Sequence, residues 1–265
     1  MNKILVPVDF SEISMNALSY AIALFKGLET EITVLHTYDM SSSAFHMKSM
    51  DRILEEDARD EMDKFLKKVD ASEPNITLKD KIVMGNAVGI INGLGNSGDY
   101  DFIVMGTKGA SGLKEVFIGS VAGGVISKTK APVLVVPEEY PFRPFDEIVF
   151  SVGNKPFSDA SVVEPLRKIV KICSCKLKVL HIAEEEKKTD LGEVLKPIED
   201  LDPSVTYAFG TGNINQRIND YLAEENVGLL CLMRSKKDVF YRLMQGSVTL
   251  KQTFNSTVPL LILHE

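Results

Sequence analysis

The chain has 265 residues, 45% hydrophobic and 25% charged, with 18 Gly and 11 Pro. That balance excludes a disordered chain, a collagen-like one and a disulfide-stapled miniprotein. The formal charge of -7, from 30 Lys and Arg against 37 Asp and Glu, gives nucleic acid or anionic lipid no electrostatic hold, so a small ligand or a protein partner is expected.

The first apolar run, Ile4 to Val8, is too short and too soon interrupted by Pro7 and Asp9 to be a secretory signal. Its β-branched character predicts a strand covered on both faces. Ser11 offers an N-cap to a helix over Glu12 to Lys26, in which Ile13, Ala17, Leu18, Ala21, Leu24 and Phe25 recur at helical spacing. Ile32 to His36 is the second predicted strand, followed by an amphipathic helix over Asp51 to Val69 and a third strand over Ile76 to Val83. A short helix over Ala87 to Asn96, a strand over Phe102 to Met105, a helix over Ser120 to Thr129 and a strand over Val133 to Val136 complete the series. Strands separated by helices of this length imply right-handed crossovers and a parallel sheet between two helix layers. No stretch approaches the ~18 apolar residues of a membrane span, so no membrane partner is expected. Cys173, Cys175 and Cys231 form no framework, and the first two lie in the apolar stretch Ile172 to Leu180. They are read as reduced, buried thiols of a cytoplasmic protein.

The chain repeats itself. Pro132-Val-Leu-Val-Val136 matches Pro259-Leu-Leu-Ile-Leu263, 127 positions on, and the same offset pairs Gly119-Ser-Val121 with Gly246-Ser-Val248 and Gly85-Asn86 with Gly212-Asn213. Upstream, Lys3 to Val8 resembles Glu147 to Val152, and Thr33 to His36 resembles Lys178 to His181, at offsets of 144 and 145. The second copy therefore lacks about 18 residues after its histidine. The join falls in Glu138 to Phe145, whose two prolines resist helix and central strand alike. The predicted architecture is α/β: two tandem, doubly wound, five-stranded parallel-sheet domains with helices on both faces, spanning 1–138 and 146–265. The last strand of each copy, short and apolar, is expected to pair with the other across a pseudo-twofold axis.

In such sheets ligands sit beyond the carboxyl ends of the strands. Two strand ends stand out. Pro7-Val8-Asp9-Phe10-Ser11 places a carboxylate before a helix, where Asp9 either accepts hydrogen bonds from an amine or sugar hydroxyl or caps its own helix. Gly106-Thr-Lys108-Gly109, continuing to Gly119-Ser120-Val121, combines glycines that let backbone approach a ligand with a helix start suited to an anion. Ser120 donates to phosphate or caps the helix, and Lys108 and Lys114 are close in sequence to offset charge. The spacing is neither that of a Walker loop nor that of a dinucleotide fingerprint. The alternative is a glycine-rich turn with purely structural demands. His36 and His181, at matching strand ends, are expected to be packed and hydrogen-bonded, and the His46-Met47 neighbourhood completes no metal spacing.

Gly106-x2-Gly109-x9-Gly119-Ser120, together with Asp9 and Ser11 after the first strand, resembles the nucleotide motif of the universal stress protein family, and the paired copies resemble its tandem form. The resemblance spans Lys3 to Pro137 closely and Glu147 to Leu263 more distantly. It implies the adenine nucleotide alpha-hydrolase-like fold, ATP, with magnesium accompanying it, and a homodimer. Carried over by position, it sets Asp9 against the adenine with Pro7 and Val8 beside it, and Thr37 in the adenine pocket. It sets Gly106, Lys108 and Gly109 along the ribose and phosphates, and Gly119, Ser120 and Val121 at the phosphate tail. In the second copy Met233 replaces Gly106, Lys236 replaces Gly109, and Gly153 stands where Asp9 would, so one nucleotide per chain is expected. The implied role is a nucleotide-responsive stress or regulatory module. The alternative is a slow ATPase or nucleotidyl-transfer enzyme using the same pocket, for which the motif supplies phosphate donors but no evident base.

Overall fold

The computed structural model describes residues 1–39, 48–70, 72–109, 116–117, 119–183, 190–209, 214–225, 227–234 and 258–265. In chain order the elements are β1 (Asn2–Val8), α1 (Glu12–Leu24), β2 (Thr30–Tyr38), α2 (Lys48–Leu66), β3 (Ile76–Met84), α3 (Ala87–Gly95) and β4 (Phe102–Gly109). They continue as β5 (Val116–Phe117), α4 (Ser120–Lys128), β6 (Val133–Pro137), β7 (Glu147–Val152), α5 (Glu164–Cys173), β8 (Lys176–Ala183) and α6 (Gly192–Leu195). The remainder are β9 (Ser204–Phe209), α7 (Ile214–Glu224), β10 (Leu229–Arg234) and β11 (Leu260–His264). Single 3-10 turns precede α5 and follow α6.

Among the described residues the strands form one sheet in the order β3-β2-β1-β4-β6-β11-β10-β7-β8-β9, with β5 attached to β4. Every pairing along that path is parallel except β6 with β11. There the two final strands meet antiparallel, with Leu261 opposite Leu134, Leu260 opposite Val135 and Ile262 opposite Val133. These residues are related by the 127-residue offset of the repeat, so a pseudo-twofold axis runs through the Leu134–Leu261 pair.

Alternation along each strand feeds two apolar layers. Ile4, Val6 and Val8 of β1, with Phe102 and Val104 of β4, face α1 and α2, where Leu18, Ala21, Phe25, Met62 and Phe65 are buried. Leu5, Ile103 and Met105 face the opposite layer, closed by Ile91 of α3 and by Ala122, Val125 and Ile126 of α4. Both layers run through the seam into the second half, where α5 and α7 take the corresponding sides. The chain between β6 and β7 is docked as well: Asn16 Nδ2 donates to the carbonyls of Pro137 and Tyr140 at 2.9 and 3.3 Å, and Phe142 meets Tyr20 edge-on at 5.2 Å.

Boundaries shift locally. β4 runs on through Gly109, because Gly106 and Thr107 still pair with Val136 and Pro137, and Lys108 and Gly109 turn to pair with Phe117 and Val116. α2 begins at Lys48 and ends at Leu66 rather than at Asp51 and Val69. Between β8 and β9, where the sequence is shorter, the described chain offers only α6 and a 3-10 turn, so Val205 and Phe209 of β9 stay exposed.

The second half also reaches across the seam to close the carboxyl end of α4. Arg234, ending β10, donates Nη2 to the Ser127 carbonyl at 2.6 Å, and His264, ending β11, bonds Nε2 to the Ile126 carbonyl at 3.0 Å. Both carbonyls belong to the last turn of the helix, which has no intrahelical partner for them. A carbonyl only accepts, so His264 carries its proton on Nε2. Burial, opposed by that bond and reinforced by the Arg234 charge, pushes the His264 pKa down to about 4. The folded chain therefore resists a proton that the unfolded chain takes up near pH 6.5, and stability is lost as pH falls from there toward 4. The expected contribution is on the order of 3 kcal/mol. Urea unfolding of wild type and His264→Gln across that range checks it: the wild-type midpoint should fall the more steeply of the two.

Candidate functional site

The carboxyl ends of β1, β2 and β4 converge with the amino end of α4. The β1–α1 connection is held by a compact set of bonds. Ser11 caps α1, its Oγ accepting from Ser14 N–H at 3.3 Å, so the cap is Ser11 and not Asp9. Asp9 Oδ1 accepts from Ser11 N–H at 3.1 Å and from Ser11 Oγ–H at 2.5 Å, which fixes the carboxylate two residues before the helix. Partial burial pushes the Asp9 pKa up, but the Ser11 and Ser14 bonds outweigh it, so the group lies below the usual carboxylate range and carries its charge at neutral pH. Between these two sits Phe10, at φ 63, a left-handed conformation rare for an aromatic residue. Its ring stacks on His36 at 4.1 Å and packs against Phe65 at 5.6 Å. His36 in turn donates Nδ1–H to the Val8 carbonyl at 2.9 Å, tying the end of β2 to the end of β1.

Strand parity sorts the expected residues. Pro7 follows Leu5, Thr37 follows Leu35 and Thr107 follows Met105, so all three stand on the α3/α4 side of the sheet at its carboxyl edge. Asp9 lies just beyond Pro7. Val8 belongs to the opposite layer and its carbonyl is taken by His36, so its side chain is turned away from that edge. Gly106 departs from its expected reading as well. A Cβ there would lie 2.5 Å from Ile13 Cγ2 and 2.7 Å from the Ile13 carbonyl oxygen, so this glycine exists to let α1 press onto β4. Its φ is not among the positive ones.

At α4 the helix start falls where it was expected. Gly119 is the N-cap, with φ -62 and ψ 167, and no side chain caps the helix. Ser120 is therefore the first helical residue rather than the cap, and it is exposed. A Cβ on Gly119 would meet nothing within 4 Å, and Val121 is 41% exposed, a large value for an apolar side chain. The first-turn N–H groups carry the positive end of the helix dipole and meet no side-chain cap among the described residues. Lys108 and Gly109 sit at the end of β4. Lys114, the expected glycine-rich connection 110–115 and the segment 40–47 lie outside the described residues, as do Gly246, Ser247 and Lys236 of the second copy.

Thr107 was not singled out by sequence. It is 2% exposed, and its Oγ1 has no hydrogen-bond partner among the described residues. A buried hydroxyl without a partner is uncommon and calls for one. The only sequence signal is its position one residue after Gly106. Among the described residues no group of three His, Cys, Asp or Glu side chains could hold a metal ion.

The second half keeps the scaffold but not the residues singled out at this edge. His181 Nδ1 bonds the Val152 carbonyl at 3.0 Å, as His36 bonds Val8. Gly153 follows Val152 where Asp9 follows Val8, and Met233 lies buried in β10, in the layer that receives α5. A separate open cleft of about 350 Å³ lies at the opposite, amino-terminal edge of β4, lined by Asp101, Phe102, Arg167 and Lys168 among others. Two of its cations are already matched, since Lys168 pairs with Asp101 at 2.9 Å and Arg167 bonds Glu164 and Asp200.

Comparison with known proteins places these features in a family. The universal stress protein family profile matches residues 1–137. Universal stress protein MJ0577 of Methanocaldococcus jannaschii is 33% identical over 154 aligned residues, covering 51% of this chain and 93% of that protein. Universal stress protein MJ0531 of the same organism is 31% identical over 137 residues, covering 51% of this chain and 81% of that protein. A universal stress protein structure from Archaeoglobus fulgidus superposes with a TM-score of 0.71 at 23% identity, covering 98% of this chain and 95% of that one, and so shares its fold through both halves.

The Gly106 contact has a measurable consequence. Gly106→Ala should lower stability by about 1–3 kcal/mol, because the Ile13 carbonyl belongs to α1 and cannot step aside alone. Chemical denaturation checks this, with Gly119→Ala as the control expected to change little.

Proposed function

We propose, from the premise that this chain belongs to the universal stress protein family, that its N-terminal half binds one adenine nucleotide and reports it to the rest of the chain. The observation that carries this reading is the uncapped start of α4, open at Gly119 and set at the same sheet edge as Asp9. The donor set fits an adenylate. Uncapped N–H groups of Ser120 and Val121 would hold phosphate oxygens, with Ser120 Oγ–H as a further donor. Thr107 Oγ1, buried without a partner among the described residues, would gain one from the ribose or phosphate. The ionised Asp9 would accept from the exocyclic amine of the base, with Pro7 and Thr37 beside it on the same face. Gly106 and Val8 would contribute backbone only, and Lys108 and Gly109 lie on the path between base and phosphates. Magnesium would arrive bound to the triphosphate, in keeping with its preference for phosphates, waters and few carboxylates.

The two copies are taken as domains of residues 1–138 and 146–265, with the nucleotide confined to the first because Gly153 and Met233 remove the carboxylate and the small residue from the second. The module is read as a nucleotide-responsive regulator acting as a homodimer in the cytoplasm. No helix among the described residues is long and apolar enough to cross a membrane.

Titration calorimetry of the full chain with ATP, ADP and cyclic AMP tests the reading. One site per chain is expected, with affinity reduced at least about tenfold by Gly119→Asp or Ser120→Glu, each of which sets a carboxylate against the phosphates. No uptake by wild type, or uptake unchanged in both variants, would overturn it. Following ADP over hours in the same samples separates a binding module from an enzyme.

A further inference from the structure

The sequence suggests three inert thiols, and Cys231 is one. It lies at 0% exposure in β10, and burial holds its pKa well above the usual thiol value. Cys173 and Cys175 are arranged differently. α5 ends at Cys173, and Ser174 turns the chain in the left-handed region, at φ 51 and ψ 37, its N–H bonded to the carbonyls of Lys171 and Val170. The chord across one helical residue, the same for either hand, sets the flanking Cα atoms about 5.4 Å apart. That lies inside the ~4.4–6.8 Å that a disulfide requires. Both side chains lie against the same apolar layer, and Cys175 Sγ reaches the Val170 carbonyl at 3.8 Å. The Cys173 thiol, donating to its neighbour, stabilises the Cys175 thiolate and lowers the Cys175 pKa, while its own is raised. Cys175 is 9% exposed and Cys173 half-buried, close enough to Tyr20 of α1 to perturb its phenol. A small neutral oxidant can enter such a site where a bulky disulfide cannot.

We propose that Cys173 and Cys175 form a dithiol that hydrogen peroxide oxidises to an internal disulfide at the seam between the two halves. The Cys175 thiolate attacks the terminal peroxide oxygen, and the O–O bond breaks. Cys175 becomes a sulfenic acid, and the departing hydroxide takes up the proton lost from the thiol to leave as water. The Cys173 sulfur then attacks the sulfenic sulfur. The S–S bond forms, the S–O bond breaks, and the released hydroxide leaves with the Cys173 proton as a second water. Two electrons pass from the thiols to the peroxide. The left-handed turn at Ser174 is already in place, so the bridge needs side-chain rotation and no refolding of the backbone. Removing the oxidant and adding a dithiol reductant restores both thiols.

The test treats the folded full chain with hydrogen peroxide and reads intact mass, tryptic peptides and the thiols that alkylate after unfolding. Wild type should become lighter by two hydrogen atoms, with Cys173 and Cys175 bridged in one peptide and two of its three thiols lost, all recovered by reductant. Cys231 should stay alkylatable. Cys173→Ser, a near-isosteric change, should leave Cys175 as a sulfenic acid, heavier by one oxygen atom and trapped by dimedone. Cys175→Ser should leave Cys173 unreacted at the same peroxide concentration. The proposal fails if wild type keeps three alkylatable thiols at a peroxide concentration that modifies Cys173→Ser. It fails equally if neither chain reacts, or if the only disulfide formed joins separate chains.

Discussion

Everything in this fold is organised about the meeting of β6 and β11. Each half taken alone would end in a short apolar strand with unpaired backbone groups. The antiparallel pairing about Leu134 and Leu261 satisfies both borders at once and lets both apolar layers continue from one half into the other. With it the remaining sheet borders among the described residues are β3 and β9. The same closure brings Arg234 and His264 onto the last turn of α4, so the helix whose amino end carries the anion-suited N–H groups is finished at its other end by the second half.

Much of this was legible in the sequence because local and global demands agree. The uninterrupted apolar runs at β1, β6 and β11 read directly as strands covered on both faces, Ser11 read as a cap, and the short, apolar, proline-led final strands pointed to a pairing with each other. The site was legible in part. The start of α4 could be read from Gly119-Ser120, but the role of Gly106 could not, since its reason lies in Ile13, which is distant in sequence. Parity along a strand would have set Val8 apart from Pro7, and would have drawn attention to Thr107, had the register of β1 and β4 been known. Helix capping by Arg234 and His264 leaves no local signal at all, because both partners come from beyond the seam. The shared setting of Cys173 and Cys175 was hidden for a related reason: it depends on the left-handed turn at Ser174, a conformation that serine adopts only rarely.

The two halves show which parts of the plan belong to the scaffold and which to the chemistry. The histidine bond between the first two strands recurs, His36 to Val8 and His181 to Val152, and so do strand order and layering. Among the described residues, differences stand at the carboxyl edge and in the layer beside it. Asp9 has no carboxylate counterpart, Gly106 is matched by a buried methionine, and no helix of α2's length follows β8 among the described residues. That last difference uncovers the aromatic side of β9, where Tyr207 and Phe209 stack at 6.1 Å.

The position of β11 also bears on how the polypeptide is made. Ribosomal synthesis releases residues in order, and the first five-stranded unit can assemble as soon as β6 emerges. Its border, Val133 to Val136, then has no neighbour until a strand 127 positions downstream has been translated. During that interval the nascent chain displays a flat, greasy, unsatisfied rim of the kind that invites association with other nascent chains. Slow elongation through the second half would lengthen this exposure, and a holdase chaperone binding that rim would shorten it.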